Sequence, residues 1–198
     1  MKIITFLSKT ISHFLCKNNV IKEQELEIYQ YGFEIIISTL LGFLITLLVG
    51  LVFQMVLLSV LYYVIFVVLR QLIGGYHADS YLKCNLIFSG VSLFTLGMTK
   101  LCYFSNLYTI TFHVLILAIV VLSICKFAPI ENPNKPMTED ELKRNHKFAI
   151  VLTLALVAAS CILFYFQLEI SILIAFTLLS ISVLILIAKT RKGGVSNE

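Results

Sequence analysis

From Arg70 to Cys84 the chain reads Arg-Gln-Leu-Ile-Gly-Gly-Tyr-His-Ala-Asp-Ser-Tyr-Leu-Lys-Cys, the densest polar constellation in the sequence. His77 and Cys84 are its candidates for chemistry. An ionised cysteine is a nucleophile, and a neighbouring imidazole can take its proton and later give it to a leaving amine. Their seven-residue spacing restricts how they can meet. On one continuous helix the two Cα atoms would stand roughly 10.5 Å apart at 1.5 Å per residue, and both Cβ atoms would lean toward the amino terminus. A break is therefore expected, with Asp79 or Ser80 as N-cap of the next helix and 74–78 as a loop that folds His77 back over Cys84. Cys84 would then lie in the first or second turn, where backbone amides and the positive end of the helix dipole help hold a thiolate and could serve an oxyanion. Spacing alone leaves plainer readings open. A cysteine at the start of an apolar helix is commonly a small buried hydrophobe, Gly74 and Gly75 can mark a re-entrant turn, Arg70 can anchor a lipid phosphate, and Asp79 can be only a cap.

The elements that must position this run are set by composition. Of 198 residues, 59% are hydrophobic and 13% charged, with a mean hydropathy of +0.96. A soluble domain carries about a quarter charged residues, so an ordinary globular domain and a disordered chain are both excluded. Five scattered cysteines argue against a disulfide scaffold and do not read as a zinc site, although Cys102 and Cys161 approach the same face and are the pair that could bridge. Uninterrupted apolar stretches run over 33–49, 51–69, 84–104, 107–125, 148–166 and 170–188, each long enough to cross a hydrocarbon slab of about 30 Å as a helix. The expected fold is all-α: a polytopic integral membrane protein with six transmembrane helices. Ile3, Ile4, Leu7, Ile11, Phe14 and Leu15 recur at helical spacing, with Thr5, Ser8, Lys9, Ser12 and His13 on the other side, which predicts an N-terminal interfacial amphipathic helix rather than a cleaved signal peptide.

Residues 1–198 read as a single membrane domain: an interfacial helix and hinge over 1–32, a six-helix core over 33–188 and a tail over 189–198. With the amino terminus cytoplasmic, all of the 15 basic residues except Lys100 fall on cytoplasmic segments, which puts both termini and the 70–84 run inside. The net charge of +4 then reflects membrane sidedness, not nucleic acid. His113, within the fourth span, is expected to bond a neighbouring helix.

Arg70, Gly74, Gly75, His77 and Cys84, between the second and third of six spans, resemble the signature of the AgrB (accessory gene regulator B) family of membrane cysteine endopeptidases. Ala128, Pro129, Glu131, Asn132, Asn134, Lys135 and Pro136 are similar to that family's proline-rich loop. The resemblance implies removal of the C-terminal tail of an AgrD-like precursor peptide through an acyl-enzyme thioester, with cyclisation to a thiolactone or lactone autoinducing peptide for quorum sensing. It implies Cys84 as nucleophile and His77 as general base and acid, with Asp79, Ser80 and Gln71 as candidates for an orienting or oxyanion role. Arg70, Gly74 and Gly75 belong to the motif, and Lys135, Lys143 and Arg144 are candidates for steering an acidic tail. Membrane lipid and a second copy of the chain are the further partners implied; no metal or cofactor is expected. The competing readings are a small six-helix transporter or channel component, which would need ionisable residues within the spans, and a non-enzymatic membrane scaffold, which would leave His77 and Cys84 without a purpose.

Overall fold

Where a chain passes through lipid its backbone must satisfy itself, and the computed structural model, which describes residues 2–73, 81–105, 108–128 and 138–195, is helical with no strand among those residues. The helices are α1 (Lys2–Lys17), α2 (Leu26–Val52), α3 (Val56–Ile73), α4 (Tyr81–Ser105), α5 (Ile110–Phe127), α6 (Glu139–Phe166) and α7 (Leu168–Val195). All but α1 are long and apolar enough to cross a membrane, as the hydropathy predicts.

The bundle is organised around α7. Of its membrane window 72% is buried against other helices, compared with 17–33% in the other five spans. Helices α3, α4, α5 and α6 pack on it, α2 packs on α3 and α4, and α1 packs on α2. A helix so enclosed can hold hydroxyls only if they are bonded. Thr177 and Ser182 donate to the carbonyls of Leu173 and Leu178 one turn back (2.7 and 3.0 Å), and Ser180 meets Thr95 of α4 at 2.9 Å. Alternating directions put α1, the start of α4 and the end of α7 at one end of the bundle, here termed the basic end. The 53–55 turn and Gln167 lie at the other.

Three features of the bundle depart from the sequence reading. The first turn is not at Gly50 but three residues later. Gly50 lies inside α2, where an added Cβ would fall 2.6 Å from Ser59 Cβ and 3.3 Å from Val56 Cα, so this glycine permits the close approach of α2 and α3. The chain reverses at Gln54 (φ 57°), where Met55 N bonds Gly50 O (2.7 Å) and Gln54 N bonds Leu51 O (3.1 Å), a Schellman closure with a non-glycine residue in its left-handed position. At the far end, α6 starts at Glu139 rather than near 148. Thr138 Oγ1 accepts from Glu141 N (3.3 Å) while the Glu141 carboxylate accepts from Thr138 N (3.0 Å), and this capping box extends the helix beyond its apolar part. Lys143, Arg144 and Lys147 therefore stand on a helix, not in a connector.

The third difference concerns α1. Its Ser8 and Ser12, expected on a water-facing side, are fully buried, with Ser8 donating to Glu34 of α2 at 3.4 Å. Small hydroxyl residues one turn apart let the helices approach closely, leaving Ile3, Phe6 and Phe14 exposed on one flank and Lys9 and His13 on another. That three-sided distribution suits a helix lying in a membrane interface. A second Schellman closure ends it, with Asn19 at φ 56° and Val20 N bonding Leu15 O at 3.0 Å. The expected hinge over 22–27 is a short 3-10 turn, Glu23–Glu25, leading directly into α2.

Gly50→Val should cost about 1–3 kcal/mol by forcing α2 and α3 apart, whereas Gln54→Gly should add roughly 0.5–1 kcal/mol by relieving the left-handed backbone. Thermal unfolding in detergent checks both. Equal effects of the two changes would contradict the placement of the turn.

Candidate active site

Cys84 is the fourth residue of α4, at the basic end, and is partly exposed. The face of α4 beside it packs on α3 through aromatic rings: Phe88 lies 5.2 Å from Phe66 and 6.2 Å from Tyr62, centroid to centroid. Phe88 is one turn after Cys84, and Phe66 one turn before Arg70. The ring contact therefore brings Arg70 and Cys84 to the same level on adjacent helices. Arg70 lies with its guanidinium 5.8 Å from the Phe66 ring centroid, a position in which it can present donors at the helix end while its stem stays in apolar contact. Gln71, beside it, is exposed, and so is Lys83.

Of the remaining predicted residues, Gly74, Gly75, His77, Asp79, Ser80 and Lys135 lie outside the described residues, as does the expected folding of His77 over Cys84. Lys143 and Arg144 are exposed on the first turns of α6, and Lys143 pairs with Glu139 at 3.9 Å, a solvent-screened contact. All five cysteines are free thiols, so Cys102 and Cys161 form no bridge.

Two polar residues inside the spans have definite work at the other end of the bundle. His113 is fully buried, and its Nδ1 shares a 2.9 Å hydrogen bond with the Tyr108 hydroxyl. Its Nε2 lies 3.3 Å from Ser160 Oγ and 3.4 Å from Ser171 Oγ, and each serine hydroxyl donates to the other's carbonyl (3.0 and 2.8 Å). The expected bond to a neighbouring helix is thus a knot joining α5, α6 and α7. Lys100, by contrast, was not legible as a structural residue. Its ammonium donates to the Phe53 carbonyl and lies 5.5 Å from the Phe104 ring centroid, placing a positive charge where the dipole of α2 is negative. A lone lysine near the end of an apolar span was the available signal.

These features define a small multi-pass membrane protein with a partly exposed thiol at one end of a helical bundle. The family model described as "Accessory gene regulator B" matches residues 8–187, and the chain belongs to this AgrB family. It is 30% identical over 169 residues to an AgrB-like protein of Clostridium perfringens (strain SM101 / Type A), covering 80% of this chain and 78% of that protein. It is also 33% identical over 168 residues to an AgrB-like protein of Clostridium beijerinckii, covering 82% and 77%. No solved structure shows a significant match. Family membership supports a role in the accessory gene regulator quorum-sensing system.

If the His113 knot is structural, His113→Leu should lower stability by about 1–3 kcal/mol, because Tyr108 loses its buried partner. Its rate of Cys84 alkylation by a water-soluble maleimide should match that of the parent protein. A large change in that rate would tie His113 to the thiol end instead.

Proposed function

We propose that this protein is a membrane cysteine endopeptidase that removes the C-terminal tail of an AgrD-like precursor and closes the remaining peptide into a thiolactone or lactone autoinducing peptide. The observation that carries the reading is the partly exposed Cys84 thiol at the start of α4, level with Arg70, in a chain of the AgrB family. Cys84 thiolate attacks the carbonyl of the bond preceding the tail. The C–N bond breaks, His77 delivers the proton to the departing amine, and the peptide is left as a thioester on Cys84. A thiol within the same peptide then attacks that thioester, the ring closes, and Cys84 leaves as a thiolate. This exchange of one thioester for another is nearly isoenergetic, so the second step depends on positioning. Amide groups in the first turn of α4 supply dipoles suited to the developing oxyanion. Asp79, Ser80 and Gln71 are the candidate orienting or oxyanion groups, with Arg70, Gly74 and Gly75 as the surrounding motif. A homodimer in membrane lipid is the expected form.

The basic end is assigned to the cytoplasm of a bacterial cell membrane, with both termini inside. Support comes from the distribution of Lys and Arg, and the one exception is accounted for by the bond from Lys100 to Phe53. The same bond weakens the transporter reading, because the lysine inside a span is committed to a helix end rather than to an ion path.

The test is incubation of the embedded protein with a precursor peptide, followed by mass spectrometry. The parent protein should release the tail and show an acyl adduct on Cys84. Cys84→Ala should release none; normal cleavage by that variant would refute the mechanism. For the steering role of the basic residues, Lys143→Glu with Arg144→Glu should weaken precursor binding at low salt and not at high salt. Unchanged affinity at low salt would leave these residues only a part in membrane sidedness.

A further inference from the structure

Helix α4 carries Cys84 in its first turn, but its bond to the central helix lies further along. The Thr95–Ser180 bond (2.9 Å) ties it to α7, eleven residues beyond Cys84, or roughly 16 Å at 1.5 Å per residue. A helix held only there would swing. At that lever length a tilt of about 5° about Thr95 carries Cys84 by roughly 1.4 Å, and a misplacement of about 1 Å can cost about a hundredfold in rate. A contact nearer the thiol has to hold its turn.

Among the described residues of α4, the buried hydrophobic side chains are Phe88 and Leu96. Leu96 lies beside Thr95, so Phe88, one turn from Cys84, is the apolar anchor of this end. Its ring is enclosed by three rings of α3: Phe66 edge-on at 5.2 Å, Tyr63 edge-on at 6.1 Å and Tyr62 stacked at 6.2 Å. Gly42 of α2 adds a further wall, where an added Cβ would stand 3.5 Å from the ring. Both tyrosines of this socket are pinned. The Tyr63 hydroxyl donates to the Thr39 carbonyl of α2 at 2.8 Å, and Phe43 lies 5.2 Å from the Tyr63 ring. The Ser92 hydroxyl donates to the Tyr62 hydroxyl at 3.3 Å and to the Phe88 carbonyl at 2.9 Å. Aromatic pairs prefer particular edge-on and offset geometries, so a ring enclosed in this way fixes both the height and the rotation of the turn that bears it.

We propose that Phe88 is a positioning residue: its ring, locked into the socket of Tyr62, Tyr63 and Phe66, holds the Cys84 turn of α4 at the height and rotation that acylation requires. The proposal rests on the peptidase reading. Phe88 acts through the backbone of α4, in which its N–H and the Cys84 carbonyl close one helical turn. A leucine in its place would fill part of the socket and leave the orientation of that turn unfixed.

The experiment compares the parent protein with Phe88→Leu and with Phe176→Leu, a matched loss of a buried ring that packs on Phe94 and Tyr108. Each is placed in phosphatidylcholine vesicles with a synthetic precursor. Both variants should unfold at a lower temperature than the parent. Phe88→Leu should also lower kcat about tenfold with KM within about twofold of the parent, whereas Phe176→Leu should keep the parent's kcat. An unchanged kcat for Phe88→Leu, or an equal fall for Phe176→Leu, overturns the proposal. If Phe88→Leu is not recovered folded, Phe88→Met, closer in volume, takes its place and is read by the same criteria. A second measurement does not depend on catalysis. With Cys16, Cys102, Cys125 and Cys161 replaced by alanine, spin labels on Cys84 and on Val68→Cys of α3 report the separation of the two helices. The distance distribution should broaden or shift in Phe88→Leu, and one identical to the parent's overturns the proposal. No cleavage by the parent protein would refute the peptidase reading, while a distance that moves in Phe88→Leu would still show the ring holding the Cys84 turn.

Discussion

Hydrocarbon offers no hydrogen bonds, and the arrangement of this bundle follows from how α7 meets that constraint. It is the most enclosed helix and yet carries Ser171, Thr177, Ser180 and Ser182 among its buried residues. Each hydroxyl is bonded to its own helix or to a neighbour. Such groups add little energy individually, since interhelical hydrogen bonds in lipid are worth about 0.6 kcal/mol on average. Their value here is positional. A hydroxyl is small enough to permit close approach and has one direction in which it must bond, so Ser180 fixes the height of α4 and Ser171 that of α5 and α6. Helix α2 is then located through α3 and α4, and α1 through α2.

The two ends of the bundle solve different problems. At the 53–55 turn the connection is short, and every group near it is committed: Gln54 adopts the left-handed backbone, Gly50 lets α2 touch Ser59, and Lys100 caps the Phe53 carbonyl. The His113 knot does similar work for α5, α6 and α7. Such an end is stiff. At the basic end the neighbouring helices are joined by longer stretches, Arg70 and Cys84 are held level by the Phe66–Phe88 contact, and Val183, Leu186 and Ile187 of α7 are exposed. Rigid scaffolding at one end and accessible polar groups at the other is the division expected of a protein that acts at one membrane surface.

Much of this was legible from residue types. Six apolar runs specify six helices because no other backbone form closes its own hydrogen bonds in lipid, and the Arg70–Cys84 run stood out because polar density is costly in such a chain. What escaped were features set by pairs of residues distant in sequence. Gly50 looks like a turn residue until Ser59 is placed beside it, and Ser8 and Ser12 look solvated until α2 is packed against them. Lys100 looked like a violation of charge bias, although its purpose depends on a carbonyl 47 positions away. The capping box at Thr138 was the exception. Its Thr and Glu lie three apart, a local signal that hydropathy overrode because α6 begins in polar residues.

On the proposed reading, the fate of the Cys84 thioester is a competition between water and a thiol in the same peptide. A site at the edge of the hydrocarbon favours the thiol in two ways. Apolar surroundings lower the local water concentration, and attachment to Cys84 restricts the peptide, raising the effective concentration of its thiol toward values that reach about 10⁵ M or more in well-oriented intramolecular reactions. A precursor thiol held beside the thioester needs no strong activation to win under those conditions. Once the C–N bond is cut, the tail is free to return to water, whereas the acyl portion remains bonded to Cys84 as a thioester. Departure of the tail removes the amine that would reverse the first step and so draws the acyl-enzyme forward to ring closure.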